Sequence, residues 1–263
     1  MNTSTPIIEA RDLTVGYGSY VVQKDLNFTI NRQDVFIIMG PSGCGKSTLL
    51  RLLAGLEKQT SGEILIDGKP FSGPSLSRGV VFQDYGLFPW MTAGENIMLA
   101  LRQRFPERDK KELREVAVNM LQSVGLDKGV YNKLPKELSG GMKQRCAIAR
   151  AFGIDPPILL MDEPFGALDA VTRARLQDMV LELWRKQEPK KTVFFVTHDV
   201  DEAILLSTKI FVLGQSPSNV IFSCDIPSDG RPTRETQFDD PKFLNLRNTL
   251  IRYINQDVAS RIS

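Results

Sequence analysis

Short apolar runs of β-forming residues recur at Val35–Met39, Gly79–Phe82, Ile158–Met161, Thr192–Val196 and Ile210–Leu213, with helical patterns between several of them. Runs of this length, rich in Val, Ile and Phe and alternating with helices, predict an α/β fold with a mixed, largely parallel sheet. The stretch Ser61-Gly62-Glu63-Ile64-Leu65-Ile66-Asp67-Gly68 predicts a strand closed by an Asp-Gly turn, so an antiparallel β portion accompanies the parallel one.

Between 85 and 154 the strand signals stop. Leu113, Val116, Ala117, Met120, Leu121 and Val124 fall three and four apart, the apolar face of an amphipathic helix, and the segment reads as an inserted helical subdomain. After Leu213 the pattern weakens through Pro217, Pro227, Gly230 and Pro232, then recovers as a helix from Pro241 to about Asn255. The expected division is an α/β core from 1–84 and 155–215, a helical subdomain over 85–154 and a C-terminal extension over 216–263.

Composition narrows the functions. The chain has 263 residues, 42% of them hydrophobic, enough for one good core. Its 33 Lys and Arg against 31 Asp and Glu leave a formal charge of +2, too balanced for a broad nucleic-acid surface. Cys44, Cys146 and Cys224 are odd in number and widely spaced, which suits a reducing cytoplasm better than a disulfide framework or a Cys-x-x-Cys metal site. The start lacks a basic region followed by an apolar one, and no run approaches the ~18 apolar residues of a membrane span. Any membrane role is expected to be peripheral.

Gly40-Pro41-Ser42-Gly43-Cys44-Gly45-Lys46-Ser47-Thr48 follows an apolar strand and opens a helical stretch, Leu49–Leu56. This is the phosphate-binding loop pattern in its proper context. Glycines let successive N–H groups approach a phosphate, the helix N-terminus adds partial positive charge, Lys46 would reach the β- and γ-phosphates, and the Ser47 hydroxyl would ligate Mg²⁺. ATP and Mg²⁺ are the implied ligands, and the α/β core is the expected nucleotide-binding part. GTPases, kinases and helicases share the loop, so it does not decide between them.

Asp162 and Glu163 end the run Ile158–Met161, where a parallel sheet presents ligand-binding groups. Asp162 suits the surroundings of Mg²⁺; Glu163 suits orienting the attacking water as general base. His198 is the sole histidine and follows another strand end, where an imidazole could sense the γ-phosphate and hold the water and Glu163 in place. Alone, such a histidine is more often structural.

Leu138-Ser139-Gly140-Gly141-Met142-Lys143-Gln144-Arg145 lies shortly before Asp162, and here the sequence resembles the ATP-binding cassette family. Ser139 is a natural N-cap, and Gly140 and Gly141 leave helix N–H groups open to an anion. The resemblance implies that Ser139, Gly140, Gly141 and Gln144 contact, in trans, a nucleotide held by the phosphate loop of a second subunit. Gln83, Tyr17 and the segment Gly166-Ala167-Leu168-Asp169 occur in the family's order. By resemblance Gln83 touches Mg²⁺ and the attacking water, Tyr17 stacks on adenine and Asp169 reaches across the dimer. One cassette in the chain then requires a homodimer or a paired cassette subunit.

Tyr85-Gly86-Leu87-Phe88-Pro89-Trp90-Met91 puts large apolar groups in a Gly- and Pro-punctuated loop, either core packing or an exposed docking patch. In transport cassettes this region receives a cytoplasmic helix of an integral membrane permease. The segments Leu87–Trp90 and Val212–Pro217 look most like cassettes of importers for nitrate, sulfonates, taurine or bicarbonate, in which a periplasmic or extracellular binding protein delivers the solute to the permease. The implied location is the cytoplasmic face of the cell membrane. A lipid or drug exporter cassette and a soluble ATPase clamp remain rival readings; the clamp lacks the long heptad coiled coil or second cassette it usually carries.

Overall fold

The structure is a computed structural model that describes residues 6–227 and 231–259. Gly230, one of the breaks expected after Leu213, lies outside them, as do the first five residues of the expected core and the last four of the C-terminal extension. The chain forms two compact units, one from residues 1–74 and 192–263 and the other from 75–191.

The first unit opens with a long hairpin, β1 (Pro6–Tyr17) and β2 (Tyr20–Asn31), followed by β3 (Val35–Met39), α1 (Lys46–Ala54), β4 (Ser61–Ile66) and the short β5 (Lys69–Pro70). β2, β1, β4 and β5 form an antiparallel sheet in that order. Asp67 and Gly68 both take positive φ, 53° and 69°, the conformation that lets an Asp-Gly pair close the two-residue turn between β4 and β5. The β1–β2 hairpin was invisible in the hydrophobic pattern because its register shifts repeatedly, between Ala10 and Leu13 and again near Val15. Each shift breaks the inside-outside alternation on which strand detection rests.

The second unit contains β6 (Arg78–Val81), α2 (Ala93–Arg104), α3 (Lys110–Ser123), α4 (Gly140–Gly153), β7 (Ile158–Asp162) and α5 (Ala170–Lys186). Each helix start is fixed by a side chain: Thr92 and Glu95 form a reciprocal capping box for α2, and Asp109, Ser139 and Asp169 cap α3, α4 and α5. α2, α3 and α4 pack together around Ile97, Leu101, Leu113, Ala117, Leu121 and Ala147, all buried. β6 and β7 run parallel, with Val81 opposite Met161.

The chain returns to the first unit with β8 (Thr192–Val196), α6 (Val200–Leu206), β9 (Lys209–Leu213), β10 (Val220–Asp225) and α7 (Pro241–Ala259). β3 pairs in parallel with both β8 and β9, and β10 adds antiparallel to β9. All five residues of β3 and of β8 are buried, as continuous apolar parallel strands require. Phe36 centres an aromatic cluster, with ring centroids 5.6 Å from Phe194 and 4.7 Å from Phe211. β10 had no sequence signal because its side chains are mostly half-buried, so no apolar run or clean alternation survives.

Candidate nucleotide-binding site

The phosphate loop leaves the C-terminal end of β3 and turns directly into α1. That helix starts at Lys46, three residues earlier than its apolar pattern suggests, because Gly45 serves as N-cap at φ 93° without any side-chain cap. A Cβ on Gly45 would lie 2.6 Å from the Val22 side chain, and one on Gly40 would lie 2.6 Å from the Leu213 carbonyl oxygen. Both positions therefore demand glycine for space as well as for conformation. Lys46 is 7% exposed, and its Nζ donates to the carbonyls of Gly40 and Pro41 at 2.9 Å each. The ammonium is thereby held inside the curve of the loop while Ser42 and Gly43 stay exposed.

Two residues that sequence reasoning missed hold the loop from behind. Gln23 Nε2 donates to the Gly45 carbonyl at 3.2 Å, and Ser218 Oγ donates to the Cys44 carbonyl at 2.7 Å. Both side chains are fully buried. Neither belongs to a recognisable motif, and they lie 195 positions apart in sequence, so only the folded chain reveals them as neighbours through the Gln23–Ser218 bridge. Burial raises the Cys44 thiol pKa, with Lys46 opposing the shift.

His198 sits at the same strand edge as the loop. β8 and β3 are in parallel register, Val196 opposite Ile38, and the Thr197 N–H donates to the Ile38 carbonyl at 3.1 Å. Two residues past the strand, the imidazole is exposed. Tyr17 ends β1 at the hairpin turn, half of its surface exposed (50%), so its ring is presented rather than packed.

In the second unit, β6 and β7 bring Gln83 and Asp162 to a common edge, since Gln83 lies two residues beyond Val81 and Asp162 one beyond its partner Met161. Asp162 is buried at the end of a wholly buried strand. Glu163 adopts φ 41°, a left-handed conformation uncommon for a residue with a side chain. Such backbone strain recurs at functional positions. The turn is closed by the Gly166 N–H donating to the Glu163 carbonyl at 3.1 Å.

Leu138–Arg145, the signature segment of the family resemblance, is an exposed helix start. Ser139 Oγ accepts from the Met142 N–H at 3.3 Å, and Ser139 and Gly140 are exposed. A Cβ on Gly140 would stand 3.1 Å from the Tyr85 hydroxyl, and one on Gly141 2.9 Å from the Thr172 methyl, so both glycines keep this end of the helix slim. Gln144, also on α4, is buried at 1% exposure. Asp169 is exposed and caps α5, accepting from the Thr172 N–H at 3.0 Å. That backbone hydrogen bond, together with a side-chain bond to Thr172, lowers its pKa.

The loop from Tyr85 to Met91 is a built surface rather than core packing. Trp90 is 70% and Phe88 39% exposed, their ring centroids 5.5 Å apart. Buried Asn96, from α2, clamps the loop: its Nδ2 donates to the carbonyls of Phe88, Met91 and Thr92 at 3.2, 3.1 and 3.0 Å, while its Oδ1 accepts from the Phe88 N–H at 2.7 Å. Arg150, from α4, donates to the carbonyls of Tyr85 and Gly86. Burial lowers its pKa, and Asp84 works against that shift. Asn96 and Arg150 were also missed, since each reads as an ordinary helical residue.

A family profile described as ABC transporter matches residues 23–166. The chain belongs to the ABC transporter family. The cassette is 42% identical over 243 residues to the nitrate import ATP-binding protein NrtD of Synechococcus elongatus, covering 92% of this chain and 88% of that one. It is 46% identical over 205 residues to the aliphatic sulfonates import ATP-binding protein SsuB of Bacillus cereus, covering 77% and 78%. Among solved structures, the dimeric post-hydrolysis state of the ATP-binding cassette MJ0796 bound to ADP and Pi superposes with TM-score 0.75 at 32% identity, covering 84% of this chain and 99% of that one. The cassette thus has the P-loop α/β fold of this family, binds ATP and is an ATPase coupled to transport. Among the described residues no helix is long and apolar enough to cross a membrane.

Proposed function

We propose that this cassette energises import of a small anion, such as nitrate, a sulfonate, taurine or bicarbonate, through a separate permease. The observation that carries the reading is its near full-length likeness to NrtD, supported by SsuB. The cassette would work as a homodimer or with a paired cassette subunit on the cytoplasmic face of the membrane. An external binding protein would deliver the anion to the permease.

Function divides along the chain. The core, 1–84 and 155–215, would hold and hydrolyse ATP; the helical subdomain, 85–154, would present the signature and the docking loop; the extension, 216–263, would support the core. Residues 40–48 would wrap the phosphates of ATP, with Lys46 exchanging its two loop carbonyls for phosphate oxygens, and Tyr17 would stack on the adenine. Ser47, Gln83 and Asp162 offer only oxygen donors, the set that Mg²⁺ takes, and Asp162 carries its carboxylate into buried surroundings. Bound there, Mg²⁺ would supply neutralisation of the phosphate charge.

Glu163 would accept a proton from the attacking water while Gln83 and His198 hold that water in line. Its left-handed backbone fixes where the carboxylate departs from β7. From the second subunit, Ser139, Gly140 and Gly141 would meet the γ-phosphate, and Asp169 would reach across beside them. Gln144, one turn further along α4, would join these contacts when the pair closes. ATP would then close the pair and hydrolysis would release it, a differential contact of the kind a switch needs. Phe88 and Trp90 would receive a helix of the permease and pass this state to the pore.

The test is purification of tagged Glu163→Gln from native membranes with ATP, followed by reconstitution of the wild-type assembly. A co-purifying multi-span permease and ATP-driven uptake of one of these anions support the reading. Recovery of soluble factors alone, or ATP-driven export of a lipid or drug, overturns it.

A further inference from the structure

The C-terminal extension touches the phosphate loop through Ser218. Ser218 lies beyond the residues matched by the family profile, yet its hydroxyl makes the 2.7 Å bond to the Cys44 carbonyl. Its backbone is tied on both sides: the Ser218 N–H donates to the Val22 carbonyl at 2.9 Å, and the Ser218 carbonyl accepts from the Lys24 N–H at 3.0 Å. Between these two anchors lies Gln23, which holds the next loop carbonyl, that of Gly45. Consecutive carbonyls of the phosphate loop are thus gripped by two buried side chains whose residues form a backbone bridge.

The segment carrying Ser218 is in turn held by α7. Asp257 Oδ2 accepts from the Gln215 N–H at 2.6 Å. A Cβ on Gly214 would fall 2.9 Å from Asp257 Oδ1, so the carboxylate lies directly over this backbone. Tyr253, one turn earlier on the same helix, stacks on Phe222 of β10 with centroids 4.6 Å apart. Ser216 Oγ adds bonds of 3.2 Å to the Val21 and Val22 carbonyls. The link from α7 to the loop runs by a hydrogen bond from Gln215 to Asp257, along the backbone from Gln215 to Ser218, and by a hydrogen bond from Ser218 to the Cys44 carbonyl.

A carbonyl fixed on the back of a peptide plane fixes the N–H on its other side. The planes of Cys44–Gly45 and Gly45–Lys46 carry N–H groups in the phosphate-binding turn, so gripping their carbonyls sets the direction of those donors. We propose that Ser218 and Gln23 are positioning residues of the phosphate loop, and that α7 sets the nucleotide affinity of this cassette by holding the Ser218 segment through Asp257. The inference rests on the phosphate-loop assignment. It gives residues 216–263 a role in binding rather than in chemistry, because a poorly aimed loop weakens ground state and transition state alike.

The experiment compares fluorescent-ATP titration, turnover at saturating ATP and thermal melting in the full chain for Ser218→Ala, Asp257→Ala and Asp257→Asn. Loss of one such bond should raise the nucleotide Kd about fivefold in the two alanine variants. Saturated turnover should stay within about twofold. Asp257→Asn keeps a side-chain carbonyl for the Gln215 N–H and should bind ATP like the wild type. An unchanged Kd in Ser218→Ala, or an Asp257→Asn that binds as poorly as Asp257→Ala, overturns the inference, even if melting temperatures fall. Lys46→Ala is the control: if it still binds tightly, the phosphate-loop reading itself fails, whereas its loss of binding alongside an unaffected Ser218→Ala overturns this inference and leaves the phosphate-loop reading standing.

Discussion

The phosphate loop and the signature segment are both glycine-bearing helix starts, yet they are built in opposite ways. At α1 the N-cap is a glycine in a left-handed conformation, the lysine is buried, and two carbonyls are gripped from behind. At α4 the N-cap is a serine hydroxyl, and the first residues face outward. The first is a loop whose bracing comes entirely from its own chain. The second is a presented surface whose proposed ligand is held by another subunit. Donor geometry that must wrap an anion calls for internal bracing; a face that meets an anion from one side needs only a slim, capped helix.

Perturbing chemistry without binding should have the largest effect on this contrast. Glu163→Gln removes the proposed base and leaves the phosphate contacts, so single-site turnover should fall roughly a thousandfold with ATP affinity retained. A fall in affinity of similar size would place Glu163 in binding instead. Next, Lys46→Ala should weaken ATP binding by about tenfold to a hundredfold in an equilibrium titration, since charged hydrogen bonds are lost inside a closed loop.

A smaller effect is expected at the exposed docking loop. Trp90→Ala should lower transport by the assembled system by roughly tenfold. Because Trp90 is 70% exposed, the isolated chain should keep its stability within about 0.5 kcal/mol by denaturant unfolding. A large loss of stability would mean that Trp90 serves the core. Smallest of all, Ser139→Ala should cost about 1 kcal/mol of stability through the lost cap. Ser139→Asp sharpens the comparison, because it restores the cap but puts a negative charge where the γ-phosphate would come. Stability should recover while ATP-dependent dimerisation does not; recovery of both would leave Ser139 a cap alone.

The parts of the fold legible in the sequence were those with a clean period. β3 and β8 were bounded to the residue because they are short, apolar and buried on both faces. The capped helix α4 and the Asp-Gly turn after β4 were legible through residue types that few other conformations use. The bulged β1–β2 hairpin and half-buried β10 were not, since register shifts and partial burial erase the pattern. The site divides in the same way. Glycines, Lys46 and Glu163 stand in motifs, whereas Gln23, Asn96, Arg150 and Ser218 act through contacts between distant segments.

The most direct measurement of the central claim, that the cassette needs a second subunit's signature face to complete its site, is sedimentation of the Glu163→Gln chain with and without Mg-ATP. Adding the nucleotide should shift the chain from monomer to dimer, and Ser139→Asp in the same chain should abolish the shift. A chain that binds ATP and remains monomeric at every concentration tested would contradict it.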